Sequence, residues 1–337
     1  MTIQNYEVIT TLGPSSDAEP VWESLLTAGA TGFRVNTSHL SLPQLYGWLE
    51  KLHSFLVPND LTLVLDLQGS KWRLGNFIHF ELVENDIVTL ILADTTNQPN
   101  SLPVSHTDFF KAAVRLASEP SLANYSSNEI LLNDAKIILQ METASKDRVI
   151  AKVKRGGIIS PNKGITFAAS GIRQETLSAK DQKIVEMTQS LQYIRYAISY
   201  IKDAIEMEKY RSLLGRSVFL IAKLERQSAL DDAIRIADFA DELWLCRGDL
   251  GAELGLIDMA KEVYNFSVRV PTIPKPLLMA GQVLEHMTEH TTPTRSEICF
   301  LYETLIRGYT GVVLSDETAI GKNPVLSCQA AALFKTR

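Results

Sequence analysis

The chain is poor in cysteine: its 337 residues hold three, Cys246, Cys299 and Cys328, with no C-x-x-C spacing. An odd count without pattern fits reduced thiols in a cytoplasmic protein. No apolar run reaches the ~18–20 residues of a membrane span. The first residues, M-T-I-Q-N-Y-E, lack the basic and apolar regions of a secretory leader. The formal charge is -6 and no Lys/Arg-rich block interrupts the mixed signs, so neither a nucleic-acid groove nor a membrane surface is expected. Low-complexity tracts are absent as well. What is present is ordinary globular composition, 45% hydrophobic, in a chain long enough for one large domain or two smaller ones.

The N-terminal third has a clear rhythm. Glu7 to Leu12 reads as a strand stopped by Gly13-Pro14-Ser15-Ser16. Val21 to Thr27 has helical spacing, and Ala28 to Val35 is a strand that runs into Asn36, Ser38 and His39. A helix over Pro43 to Leu56 and a strand over Leu61 to Asp66 follow. Strands that end in polar residues every 25–35 positions or so predict a (β/α)₈ TIM barrel, an α/β fold whose chemistry sits at the C-terminal strand ends. From 74 to 166 the rhythm breaks into short β-like runs, with helical spacing only at Phe109 to Leu116. This predicts a small β-rich lid inserted in the barrel, with 1–73 and 167–337 as the barrel itself.

The βα rhythm then resumes. Lys180 to Gln189 and Asp203 to Leu213 read as helices, and Tyr193 to Ser199 as a strand. The central stretch is Val218 to Glu253. V-F-L-I-A-K-L-E is a short apolar run that stops at Lys223 and Glu225. Alternation along a strand points those two side chains the same way. Helical spacing from Ser228 to Asp241 leads to L-W-L-C-R-G-D-L-G, which places Asp249 at the same end of the next parallel strand. Two carboxylates and an ammonium there suit Mg²⁺ or Mn²⁺ with an anionic ligand. Thr272 to Met279 and Gly311 to Leu314 complete eight strands, with helices over Arg295 to Ile306 and Val325 to Lys335.

These motifs in this order resemble the pyruvate kinase family. The resemblance covers nearly the whole chain and rests on I-T-T-L-G-P-S-S, F-R-V-N-T-S-H, L-D-L-Q-G-S-K-W-R, N-D-A-K, K-G-I-T, L-S-A-K-D, I-A-K-L-E, C-R-G-D-L-G, A-G-Q-V-L-E, T-P-T-R-S-E and L-S-D-E-T-A. It implies a barrel, an inserted lid, and phosphoryl transfer from phosphoenolpyruvate to ADP that gives pyruvate and ATP. Relatives add a C-terminal effector domain, and this sequence stops where the barrel's last helix should end, so a non-allosteric enzyme is expected. Relatives also pair barrel to barrel, which implies a homodimer.

The resemblance carries roles to matching positions. Glu225 and Asp249 would hold the divalent metal. Lys223 would stabilise the transferring group, and Arg34 would contact the phosphoryl of phosphoenolpyruvate. The backbone at Gly248 and Asp249 would receive the substrate carboxylate at a helix start. His39, Arg73, Lys180 and Asn36 match nucleotide-phosphate surroundings. Ser199 and Ser315 line the same pocket. Asn36, Ser38 and Asp66 match the family's monovalent-cation site. Leu67, Gln68 and Lys71 replace the Thr, Lys and Glu of relatives that need K⁺; the Lys71 ammonium would stand where that ion stood, so K⁺ is not required.

Other positions depart from the family. Its A-T-Q is Ala280-Gly281-Gln282, which removes a hydroxyl near the substrate carboxylate and the carbon to be protonated. Leu40, Arg226, Asp316, Ile320 and the run Phe300 to Thr304 also differ from the usual pattern. Two readings besides the kinase therefore stay open. One is a metal-enolate site used for lyase or decarboxylase chemistry, or for another acceptor; the other is a non-catalytic metabolite-binding paralogue. His286 and His290 have metal-like i, i+4 spacing but no third ligand, and are read as surface residues.

Overall fold

The computed structural model describes residues 6–69, 72–118, 128–133, 136–167 and 177–335. Its elements open with β1 (Glu7–Thr11), α1 (Glu19–Ala28), β2 (Gly32–Asn36), α2 (Leu42–Leu56) and β3 (Thr62–Leu67). The helices begin where the sequence supplies caps. Ser41 and Gln44 form a reciprocal capping box at α2, and α1 stops at Gly29, whose left-handed backbone (φ 114°) takes the C-cap.

Between β3 and the next barrel helix come β4 (Phe80–Leu82), β5 (Ile87–Leu92), β6 (Ser101–Val104), α3 (Thr107–Ser118), β7 (Glu129–Leu132), β8 (Ile137–Ala144), β9 (Arg148–Arg155), β10 (Gly157–Ile159) and β11 (Ile165–Phe167). Six of these strands form one sheet in the order β11-β7-β8-β9-β5-β6, and β10 pairs with β4. Their core gathers Phe109, Phe110, Trp72 and Phe167 with the inward aliphatics of the sheet. The Trp72 indole N–H donates to Asp108, so its one polar atom is satisfied inside that core.

The chain continues with α4 (Ala179–Thr188), β12 (Ile194–Ile198), α5 (Ala204–Leu214), β13 (Phe219–Leu224), α6 (Gln227–Asp231), α7 (Ala233–Ile236), β14 (Glu242–Cys246), α8 (Arg247–Leu254), α9 (Leu256–Arg269), β15 (Leu277–Ala280), α10 (Arg295–Ile306), β16 (Gly311–Leu314), α11 (Asp316–Ala319) and α12 (Pro324–Ala331). β1, β2, β3, β12, β13, β14, β15 and β16 close into a barrel in sequence order. All eight pairings are parallel. This is the expected (β/α)₈ architecture. By contact density the chain divides into two compact units: 1–69, 177–248 and 261–337 form the barrel unit, and 70–176 with 249–260 form the second. Among the described residues no helix is long and apolar enough to cross a membrane.

Three local expectations need correction. The helix expected over Ser228 to Asp241 is two short ones, α6 and α7, broken at Asp232. The carboxylate of Asp232 accepts the Ala204 N–H at 2.8 Å, so it serves a neighbouring helix start. The strand expected from Thr272 begins only at Leu277. Pro271, Pro274 and Pro276 withhold N–H donors, and Val270–Thr272 closes a 3-10 turn instead. Helix α9 was not expected at all.

The barrel interior is layered. Ile9, Val64, Ala197, Ile221, Trp244, Leu278 and Val313 form its middle, one from each of seven strands. Alternation makes the residues two places later face the same way. Those residues are Thr11, Asp66, Ser199, Lys223, Cys246, Ala280 and Ser315, at the C-terminal end. Two places earlier stand Glu7, Arg195, Phe219 and Glu242, at the N-terminal end.

Candidate active site

The C-terminal layer converges on Asp66. Arg34 reaches it from β2, donating from Nε at 2.8 Å and from Nη2 at 2.5 Å to the one oxygen Oδ2. Lys223 reaches it from β13, with Nζ 3.2 Å from Oδ1 and 3.1 Å from Oδ2. The same ammonium donates to Ser199 Oγ at 3.0 Å and lies 3.0 Å from Glu225 Oε1. Glu225 Oε2 accepts the Tyr200 N–H at 2.7 Å. Asp66, Lys223 and Glu225 are all buried. Burial opposes the charge on Asp66, but the Lys223 ammonium and then the Arg34 guanidinium hold its carboxyl well below the usual range. Burial likewise opposes the charge on Lys223, and Asp66 and Glu225 raise its ammonium well above the ordinary lysine value. Asp66 and Lys223 are thus kept ionised out of water.

Neighbouring loops are tied to this layer. Thr37 Oγ1 donates to the Asp66 carbonyl at 2.7 Å. Asn36 Oδ1 caps its own turn by accepting the Ser38 N–H at 3.2 Å. Lys180, at the start of α4, donates to the carbonyls of Thr37 and Leu40 at 2.5 Å each, which fastens the turn carrying Asn36, Ser38 and exposed His39. Arg73 belongs to the second unit, where its guanidinium donates to the Asn162 carbonyl at 2.8 Å. Lys71 lies outside the described residues.

Sequence reasoning missed Asp181. This buried carboxylate accepts the N–H groups of Gln68 at 3.2 Å and Gly69 at 3.1 Å, while Ser178 and Asp181 box the start of α4. Burial raises its carboxyl despite those bonds. Gly69 has φ 60°, and a Cβ there would fall 2.3 Å from the Ser199 carbonyl oxygen, so the turn after β3 requires glycine. Asp181→Ala would strand two loop N–H groups and is expected to cost about 1–3 kcal/mol in urea denaturation. An unchanged midpoint would mean that water replaces the carboxylate. The S/T-x-x-D pattern of Ser178 to Asp181 marks the helix start, but no sequence signal ties it to the β3 turn.

The other end of the site is a backbone turn. Arg247, the first residue of α8, donates from Nε at 2.9 Å and Nη2 at 2.6 Å to the Gly281 carbonyl, and from Nη2 at 2.7 Å to the Gln282 carbonyl. Its guanidinium stacks 4.2 Å over the Phe300 ring. Gly281 is left-handed at φ 85°, and a Cβ there would lie 3.0 Å from the Gly248 nitrogen and 3.2 Å from that of Arg247. Gly248 and Asp249 occupy the first turn of α8, as expected.

Glu225, directly after β13, brings a carboxylate to the Lys223 ammonium, and Mg²⁺ commonly takes one or two carboxylates and completes its shell with water and phosphate. No cluster of three or more His, Cys, Asp or Glu among the described residues offers an all-protein cage. His286 and His290 stack face to face at 3.7 Å, and His290 Nδ1 is 3.0 Å from the His286 carbonyl, with no third ligand alongside.

Fold and site together define a parallel (β/α)₈ barrel protein with a buried ion network at the C-terminal ends of its strands. A family profile described as pyruvate kinase, barrel domain, matches residues 3–328. Proteins named pyruvate kinase from Agrobacterium vitis and Aeropyrum pernix are each 30% identical to it, over 95% and 98% of the chain. The chain belongs to the pyruvate kinase family. It spans 65% of the length of the first relative and 70% of the second.

Proposed function

We propose that the chain is a metal-dependent phosphotransferase that moves the phosphoryl group of phosphoenolpyruvate to ADP, giving pyruvate and ATP. The observation that carries this reading is the buried Arg34–Asp66–Lys223–Glu225 network at the barrel's C-terminal end. A phosphoryl transfer needs fixed positive charge where oxygens gain negative charge, and needs it without reorganisation. Arg34 binds the phosphoryl group, and Lys223 stabilises it as charge redistributes. Glu225 and Asp249 hold Mg²⁺ or Mn²⁺, which would neutralise phosphate and enolate oxygens when bound. Gly248 and Asp249 N–H groups at the start of α8 receive the substrate carboxylate. His39, Arg73, Lys180 and Asn36 serve the nucleotide phosphates. K⁺ is not required, its place being taken by Lys71.

Pyruvate formation from phosphoenolpyruvate and ADP, with Mg²⁺ and without K⁺, is the test. Turnover is expected, and Lys223→Met is expected to lower kcat by about a thousandfold, the upper range for a lost electrostatic stabiliser. Turnover that survives Lys223→Met undiminished would sink the reading.

One observation favours a second reading. The left-handed Gly281 leaves no room for a side chain against the α8 nitrogens without a shift, so the hydroxyl missing there is not simply restored by one substitution. An enolate site with another acceptor would bind phosphoenolpyruvate in Mg²⁺ yet form no pyruvate with ADP.

A further inference from the structure

The way Arg34 is held poses a geometric problem. Its Nε and Nη2 both donate to the single oxygen Asp66 Oδ2. Two bonds that converge on one atom fix a distance but leave the guanidinium plane free to pivot about that atom. The second anchor is Thr11, whose Oγ1 accepts from Arg34 Nη1 at 2.7 Å. A hydroxyl has one hydrogen. Thr11 spends it on the Leu314 carbonyl at 2.6 Å, so its lone pairs are left to face Nη1. Leu314 is the last residue of β16, and the Thr11 carbonyl is itself held by Thr318 Oγ1 at 2.9 Å. Register places Thr11 directly beside Arg34 across the β1–β2 pair. The chain of bonds therefore runs from β16 through β1 to β2 in rigid barrel backbone.

We propose that Thr11 is a positioning residue that sets the rotation of the Arg34 guanidinium for the substrate's phosphoryl group. The inference rests on the phosphoenolpyruvate reading above. Asp66 and Thr11 take three of the five guanidinium N–H groups. One N–H on each terminal nitrogen remains without a partner among the described residues. A pair of donors on adjacent nitrogens is what a guanidinium offers to two oxygens of one phosphoryl group. The pair is useful only if the plane cannot turn, because a fork rotated off the oxygens makes one bond where two were available.

The test is calorimetric titration of phosphoenolpyruvate in Mg²⁺ into the wild type, Thr11→Val, Thr11→Ser, Arg34→Met and the Thr11→Val/Arg34→Met double variant. Valine keeps the shape and removes both bonds, whereas serine keeps the hydroxyl. Thr11→Val is expected to weaken binding about tenfold to a hundredfold, the loss typical of a hydrogen bond to a charged group. Thr11→Ser is expected to stay within about threefold of wild type, and ADP affinity should not move in either. In the Arg34→Met background Thr11→Val should have no further effect, as a residue acting through Arg34 requires. Wild-type affinity in Thr11→Val, or a full effect that persists without Arg34, would overturn the proposal while leaving the site reading intact. Phosphoenolpyruvate binding that is indifferent to Arg34→Met would bring down the site reading and this inference with it. Melting curves of the valine and serine variants separate weakened binding from unfolding.

Discussion

Asp66→Ala is expected to destabilise the protein by about 3–5 kcal/mol and to abolish turnover, the largest effect of any single change at the site. The carboxylate lies between a guanidinium and an ammonium, all three buried. Without it Arg34 has no counter-charge within the network, and Lys223 keeps only Glu225. Removing one partner of a buried pair leaves the other charge desolvated, which costs far more than the pair contributes when whole. Asp66→Asn keeps the shape and one acceptor, and should fall between the two. The pH dependence follows from the depressed carboxyl. Its stabilising contribution is present above the unfolded value, near the ordinary 3.8, and is lost as pH falls through the lower folded value. The gap between wild type and Asp66→Asn should therefore be full at pH 7 and shrink in acid. Urea denaturation at pH 7 and at about pH 3 measures it; a gap that does not change between them would mean the carboxylate is not the group that matters.

Much of this site could be read from the chain because barrel strands alternate strictly. Once Ile221 is an interior residue, Lys223 and Glu225 must point the same way, and the sequence says so. The same step of two leads from Ile9 to Thr11, yet Thr11 looks like one more β-former in E-V-I-T-T and has no charge to mark it. Asp181 escaped for another reason. Its work is to accept backbone N–H groups more than 110 residues away in sequence, and no local pattern encodes that pairing. Helix α9 does carry an inward stripe at helical spacing, half-buried Met259 and Val263 with buried Phe266, continued by buried Val270 just after it, but the exposed apolar residues Leu256, Ile257, Tyr264 and Val268 on its other side blur that pattern in the sequence. Gly281 was legible as a missing hydroxyl, but only its backbone shows that the turn itself is left-handed.

At the opposite end of the barrel, Glu242→Gln is expected to stabilise the protein at alkaline pH and to leave it unchanged in acid. Glu242 is the first residue of β14, and its side chain is buried among Glu7, Arg195, Asp241 and Trp244. Trp244 donates its indole N–H to Glu242 Oε1, a bond that glutamine can still accept. Arg195 lies 3.4 Å from Glu7 and 3.6 Å from Glu242 over the Phe219 ring, so one cation serves two carboxylates. Burial, and then the like charge of Glu7, push the Glu242 carboxyl up to about 8. A group whose folded value is raised gives stability that is complete below its unfolded value, near 4.5, and is lost as pH climbs through about 8. The wild type should thus weaken across that window, whereas Glu242→Gln should not. The difference should reach several kcal/mol by pH 8.5. Thermal melts from pH 4 to pH 9 would show the two curves parting from about pH 5 upward and running parallel again above about pH 8, and curves parallel throughout would mean that Arg195 keeps Glu242 ionised. The substitution should leave the pH profile of kcat/KM unmoved, because Glu242 stands at the N-terminal mouth, the end of such barrels that serves stability, while Arg34 and Lys223 act at the other. A pH limit on folding and a pH limit on chemistry would then belong to two ends of the same strands.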